Sequence, residues 1–206
     1  MMNRSIGKRA NDYFLEIIEW IPRLIQLQLL WFLCVLPVFT LGTASRTVLY
    51  MIYYYKKNEE KKLSSLYWKK FRENLSLHGK QDSLASSYFL LLFIDYRIFH
   101  YLGGRIGYTL MYTTLFLLLL SAVLFSYKIL LQLENQKEVS WIAAFFLFFN
   151  DFKSALFYLA GTSILLIALW FAGPVYLALL GFSFLFYFQV LLFIHRTQEK
   201  GLKKEE

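Results

Sequence analysis

The sequence is poor in the residues that most often carry catalysis, metal binding or covalent cross-links. It has one cysteine, three histidines and three prolines among 206 residues. The single Cys34 excludes a disulfide within the chain. His78, His100 and His195 are far apart and have no Cys or carboxylate partner at metal-ligand spacing. We therefore expect neither a metal site nor a bound cofactor.

Charged residues are also scarce, at 17% of the chain, whereas a soluble domain averages about a quarter. Hydrophobic residues make up 58% and aromatic residues 20%, more aromatic surface than one soluble core of this length could bury. The formal net charge of +8 comes from basic residues that lie between apolar runs. This pattern argues against nucleic-acid binding and is typical of membrane proteins, with the lipid bilayer as the partner.

Apolar runs of membrane-crossing length recur along the whole chain. They predict an all-α, polytopic transmembrane helical bundle that forms one integral membrane domain over residues 1–206. The predicted segments are Leu24–Leu41, Thr43–Lys57, Leu84–Leu102, Gly107–Leu131, Phe152–Ala172 and Val175–Ile194. The second is marginal, because it reaches about 22 Å at helical rise against a hydrocarbon core of about 30 Å. Trp141–Phe149 is apolar but short, which suits an interfacial elbow.

The distribution of Lys and Arg predicts the topology. Four lie in residues 1–23, eight in 56–82, three in 128–153 and four in 195–206. Six segments place all four stretches and both termini in the cytoplasm, as the positive-inside rule prefers, with 195–206 as a cytoplasmic tail. Five segments, with the short second one left out, remain the alternative and would put the N-terminus outside. The 56–82 loop has apolar residues at helical spacing and is predicted to hold a short interfacial amphipathic helix.

The stretch Leu36–Tyr50 (LPVFTLGTASRTVLY) resembles the signature of the YesL-like family. Members are small integral membrane proteins, chiefly of Gram-positive bacteria, that carry a domain of unknown function. The matching motif positions include Pro37, Thr40, Gly42 and Tyr50. Val48 replaces a usual Ala and Arg46 is less typical, whereas Phe71 and Asn74 resemble the family's Phe-x-x-Asn before the next span.

The resemblance implies a plasma-membrane protein that assists carbohydrate uptake. Family members often occur beside genes for polysaccharide use and for ATP-driven sugar importers. Subunits of such an importer are therefore the expected protein partners, in an accessory or regulatory relationship. The solute and the oligomeric state are not implied.

Asp95 is the strongest candidate for a functional polar residue within a predicted span. An acid at that depth costs a few kcal/mol unless it is paired or neutralised. Arg97 is close in sequence, but residues two apart do not face each other on a helix. Arg46 should lie at a similar outer depth, and we predict an Asp95–Arg46 contact. The alternative is that Asp95 reaches the outer headgroup region beside Arg97, His100 and Arg105.

No catalytic motif is recognisable, so we expect that the protein is not an enzyme. The sequence contains no Gly-x-Ser-x-Gly, no His-Glu-x-x-His and no phosphate-binding glycine loop. A non-catalytic accessory protein is the leading hypothesis. A small transporter or channel that uses Asp95 and the Pro37–Gly42 turn is the alternative, and a membrane-bound scaffold that presents residues 56–82 is a third hypothesis.

Overall fold

Seven α-helices make up nearly all of the chain that the structure describes. The structure is a computed structural model that describes residues 2–57, 63–150 and 152–202, with side chains throughout except at 2–17, 57, 154, 174, 177 and 198–202. The helices are α1 (Met2–Val35), α2 (Leu41–Lys57), α3 (Leu63–Leu102), α4 (Gly104–Asn135), α5 (Trp141–Phe149), α6 (Phe152–Ala172) and α7 (Pro174–Leu202). The all-α prediction is confirmed, since these ranges contain no strand.

A proline-containing turn separates α1 from α2. Pro37 disfavours helical backbone at the residue before it, so α1 ends at Val35. A short 3₁₀ helix, Val38–Thr40, follows. The Thr40 amide donates to the Pro37 carbonyl (2.8 Å), and its hydroxyl donates to the same carbonyl (2.6 Å) and to that of Cys34. The Thr40 hydroxyl thus satisfies the Cys34 carbonyl, which the end of α1 leaves without a helical partner.

Glycines form two further tight helix-to-helix turns. Gly103 and Gly104 have φ angles of 60° and 65° between α3 and α4, and Gly173 has a φ of 108° between α6 and α7. L-residues with a Cβ rarely adopt these angles. Pro174 begins α7, where its missing amide hydrogen costs no helical hydrogen bond.

Helix α2, the segment that the sequence made marginal, is the centre of the bundle. It contacts α1, α3, α4 and α7, and five of its apolar side chains are fully buried. These residues are Ala44, Val48, Leu49, Met51 and Ile52. A helix surrounded by other helices needs little lipid-facing apolar surface, which explains how a short, partly polar segment takes this position.

Within the described residues, four helices are long and apolar enough to cross a membrane. Their apolar stretches are Ile18–Val35, Gly104–Asn135, Ala155–Ala172 and Ala178–Thr197. Large hydrophobic side chains such as Phe157, Trp170 and Phe171 are more than 70% exposed on the outside of the bundle. Exposed apolar area on this scale marks a surface that contacts lipid or protein. The membrane-like helical class is therefore supported, whereas α2 and α3 are not among the four candidate spans.

Helix α3 differs from its prediction. The sequence predicted a short interfacial helix within 56–82 and a separate span from Leu84, but one continuous helix runs from Leu63 to Leu102. Residues 58–62 of the predicted loop and 203–206 of the predicted tail lie outside the described residues. The first half of α3 packs along α2, because its polar side chains find partners there. The next subsection describes these contacts.

Candidate functional site

Helices α2 and α3 approach each other closely at Gly42. A Cβ atom at this position would lie 2.5 Å from the backbone carbonyl oxygen of Asp82, closer than real Cβ contacts allow. The Gly42 amide donates to Ser86 Oγ (2.9 Å), and Ser86 Oγ donates to the Asp82 carbonyl (2.8 Å). Glycine is therefore required here for close packing of two helix backbones.

One turn further along α2, Arg46 forms a buried ion pair with Asp82. Arg46 Nε donates to Asp82 Oδ2 (2.8 Å) and Arg46 Nη2 donates to Oδ1 (2.7 Å), so the contact is bidentate. The third guanidinium nitrogen, Nη1, donates to Gln132 Oε1 on α4 (2.8 Å). Arg46 is 4% exposed and Asp82 is fully buried. These residues, the Arg46–Asp82–Gln132 cluster, connect three helices.

A polar stripe on α3 surrounds this cluster. Asn74, His78, Asp82 and Ser86 are spaced four residues apart, so they lie on one face of the helix. Asn74 Nδ2 donates to Thr47 Oγ1 (3.0 Å), and that hydroxyl donates back to a carbonyl of α2 (2.8 Å). The stripe therefore pairs α3 with α2 over several turns.

His78 is the titratable member of the stripe. It is partly buried, and its Nδ1 has no hydrogen-bond partner among the described residues. Burial lowers the pKa of the His78 imidazole, and the positive charge of Arg46 lowers it further. The neutral form of His78 is consequently favoured in the folded protein.

The predicted Asp95–Arg46 contact is wrong. Arg46 is paired with Asp82, and Asp95 lies thirteen residues further along α3, about 20 Å at helical rise. Asp95 and Arg97 are both exposed on the second half of α3. The sequence reasoning missed Asp82 because it lies in a stretch that was assigned to a cytoplasmic loop. The four-residue spacing of the polar stripe was the signal that could have identified it.

The other predicted residues have packing roles in the structure. Pro37, Thr40 and Gly42 form the turn and the close contact described above. The ring of Tyr50 lies 4.8 Å from Lys70 Nζ, a cation–π contact between α2 and α3. The partly buried Phe71 stacks on Tyr67, with ring centroids 6.3 Å apart.

The charged groups of the Arg46–Asp82–Gln132 cluster are bonded to other groups of the protein. Each guanidinium nitrogen of Arg46 and both carboxylate oxygens of Asp82 have a partner. Such a pair offers neither a general base nor a nucleophile. Among the described residues, no group of three or more His, Cys, Asp or Glu side chains could hold a metal ion.

Comparison with known proteins gives a family match over part of the chain. Residues 24–96 match the model of a family described as a protein of unknown function, DUF624. This stretch contains the second part of the candidate span of α1, all of α2 and most of α3, so it includes the turn, Gly42, Arg46 and Asp82. No curated protein and no solved structure matches the chain. The matched region is therefore the part whose polar residues join the first three helices.

Proposed function

We propose that this chain is a YesL-like, multi-spanning protein of the plasma membrane, without catalytic activity of its own, that assists carbohydrate uptake. The match of residues 24–96 to a family of unknown function supports the membership. The motif around Pro37, Gly42 and Tyr50 supports it as well. The Gram-positive origin, the carbohydrate link and the importer subunits as partners come from the resemblance alone.

The observation that carries the non-catalytic role is the closed state of the polar core. The buried charges of Arg46 and Asp82 face each other and not a cleft. An enzyme or a solute pathway needs polar groups that are available to a substrate. The polar groups in this core hold helices together, which suits a protein that acts through assembly with partners.

The proposed topology has six crossings and two cytoplasmic termini. Helix α2 runs antiparallel to the candidate span of α1: Trp31 Nε1 donates to Ser45 Oγ (3.1 Å), and Lys56 Nζ lies 5.7 Å from the Trp20 ring. If α1 crosses the bilayer, α2 therefore crosses it too. Helix α3 has 40 residues, about 60 Å at helical rise, so it crosses once and extends beyond the hydrocarbon core.

Affinity capture from native membranes tests the accessory role. Tagged protein is extracted in mild detergent, and the associated proteins are identified by mass spectrometry. We expect permease or substrate-binding subunits of an ATP-driven sugar importer. A chain that purifies alone, from a host whose sugar uptake is unchanged when the gene is deleted, would contradict the proposal.

A small transporter or channel is the second candidate, and one observation favours it. Asp95 is exposed on a helix surface beside the exposed apolar residues Phe93, Ile94 and Ile98. A carboxylate facing lipid there would be costly, so a second copy of the chain could cover it. Asp95 does not line the cleft at Phe146–Asn150 or the cleft between Gln81 and Trp141, two of the clefts on the described residues. Reconstituted protein whose solute flux is the same with Asp95→Asn would exclude this function.

A further inference from the structure

A surface cleft lies between α3, α4 and the start of α5, and the proposed function assigns no role to it. Its volume is about 780 Å³, within the usual range for small-molecule sites of about 300–1,000 Å³. One part of the wall is apolar, with Leu84, Tyr88 and Leu124. The other part is polar and includes Gln81 and Lys128. The cleft therefore has an amphipathic lining.

Lys128 is the decisive residue of this lining. It is 3% exposed, and its ammonium group makes no ion pair or hydrogen bond with any residue that the structure describes. Its Nζ lies 4.3 Å from the centroid of the Trp141 ring, a cation–π contact. Trp141 lines the same cleft. Burying an ammonium group without an anion beside it costs free energy. The Lys128 site therefore lacks the negatively charged partner that would offset this cost.

Nearby carboxylates do not supply that partner. Both carboxylate oxygens of Asp82 already accept hydrogen bonds from Arg46. Glu138 lines the cleft but is exposed at its rim, and no oxygen of Glu138 lies within ion-pair distance of Lys128. The missing anion must therefore come from outside the described chain.

We propose that the cleft binds one glycerophospholipid, with its phosphate on Lys128 and an acyl chain along the apolar wall. The inference rests on the membrane location in the proposed function. Charge complementarity selects the phosphate, and the amphipathic lining selects a molecule that has both parts. Lys128 lies near the end of the candidate span Gly104–Asn135, at the depth where headgroups are expected. Basic pockets between transmembrane helices are known to take lipid headgroups.

Helix α5 supports the same occupant. It begins at Trp141, where the Ser140 side chain accepts a hydrogen bond from the Ala143 amide (3.1 Å) and caps the helix. Ile142 and Phe146 are at least 67% exposed on the outside of the helix. An apolar, outward-facing helix of nine residues suits the boundary between headgroups and acyl chains, and it forms one edge of the cleft.

Lipid binding by matched variants tests the proposal. Wild type, Lys128→Gln and Lys137→Gln are extracted from membranes, delipidated in detergent and titrated with phosphatidylglycerol under native mass spectrometry. Lys137 is exposed and does not line the cleft, so Lys137→Gln removes the same charge nearby. We expect one tightly bound lipid in wild type and in Lys137→Gln. Loss of a charged hydrogen bond should weaken binding about 10- to 100-fold in Lys128→Gln.

Two further ligands distinguish a phospholipid from other occupants. Diacylglycerol lacks the phosphate and should bind at least about tenfold more weakly than phosphatidylglycerol. Inorganic phosphate lacks the acyl chains and should not compete at equal concentration. Equal binding of phosphatidylglycerol to wild type, Lys128→Gln and Lys137→Gln would overturn the proposal. Displacement of the lipid by inorganic phosphate alone would overturn it as well. Recovery of each variant from the membrane fraction is scored separately, so a failure of membrane insertion is distinguishable from a failure of lipid binding.

A measurement on the unaltered site covers the case in which Lys128→Gln does not fold. Phosphatidylglycerol with brominated acyl chains quenches nearby tryptophan fluorescence. Saturable quenching by one equivalent is expected in wild type, and a smaller effect in Trp141→Phe, which keeps an aromatic ring over Lys128. Quenching that rises without saturation, or that is the same in Trp141→Phe, would refute a specific site.

Discussion

Removing the charge of Asp82 should destabilise the protein more than any other single change of a carboxylate in the described chain. In Asp82→Asn the side chain keeps its size, but the Arg46 guanidinium, 4% exposed, loses its counter-charge. The Gln132 amide stays in contact with Arg46 and is neutral. Breaking one partner of a buried ion pair costs about 3–5 kcal/mol.

This cost converts into a measurable shift of the unfolding temperature. For a chain of 150–250 residues, 1 kcal/mol corresponds to about 2–4 °C, so Asp82→Asn should lower the midpoint by roughly 6–20 °C. Thermal unfolding in detergent, followed by the fraction of monodisperse protein on size-exclusion chromatography, provides the assay. Asp95→Asn is the matched control, because it neutralises an exposed carboxylate on the same helix and should change stability by less than about 0.5 kcal/mol.

A double variant separates the ion pair from simple loss of packing. Arg46→Gln combined with Asp82→Asn leaves a neutral pair and no buried charge. It should be more stable than the sum of the single changes predicts, by about 1–3 kcal/mol. The reasoning is refuted if Asp82→Asn is as mild as the Asp95→Asn control, or if the two single effects add without any coupling.

Three further predictions concern the packing at Gly42, the titration of His78 and the topology. Gly42→Ala should cost about 1–3 kcal/mol by overpacking against the α3 backbone, whereas Gly79→Ala, whose Cβ meets only a side-chain atom at 3.6 Å, should be neutral or stabilising in the same unfolding assay. Because burial lowers the pKa of His78 in the folded protein, stability should be full above pH of about 6.5 and decline as the pH falls below it. His78→Gln should flatten that decline, and an unchanged pH profile would contradict it. In a cysteine-free background, Arg105→Cys should react with an impermeant thiol reagent added outside intact cells, and Lys137→Cys should not react. The reverse labelling pattern would exclude two cytoplasmic termini.

Much of the architecture could be read from the sequence because lipid imposes simple demands. A crossing helix must be long and apolar, and turns between helices need residues with special backbone freedom. The breaks at Pro37, Gly103 and Gly173 follow from that requirement, and the structure has turns at all three. Interhelical hydrogen bonding is the default role of a polar side chain within a span. Gln26 and Gln28 have such bonds with Ser64 and Ser183, whereas the buried Oε1 of Gln189 has no partner among the described residues.

The polar core could not be predicted in the same way, because pairing depends on residues that are distant in the chain. Arg46 and Asp82 are separated by 36 positions, and Gln132 lies on a third helix. Hydropathy treats each of these residues as unfavourable for a span and assigns Asp82 to water. It does not represent a partner that offsets the burial of a charge. The prediction for Asp95 failed for this reason.

The sequence by itself determined the all-helical, membrane-like class of the protein and the turns at Pro37, Gly103 and Gly173, since these depend on local composition and backbone freedom. Only the tertiary structure decided that the short, partly polar α2 is the centre of the bundle and that α3 is one continuous helix beside it. The physical reason is that buried polar groups take their stability from partners on other helices, and the sequence does not specify which helices meet.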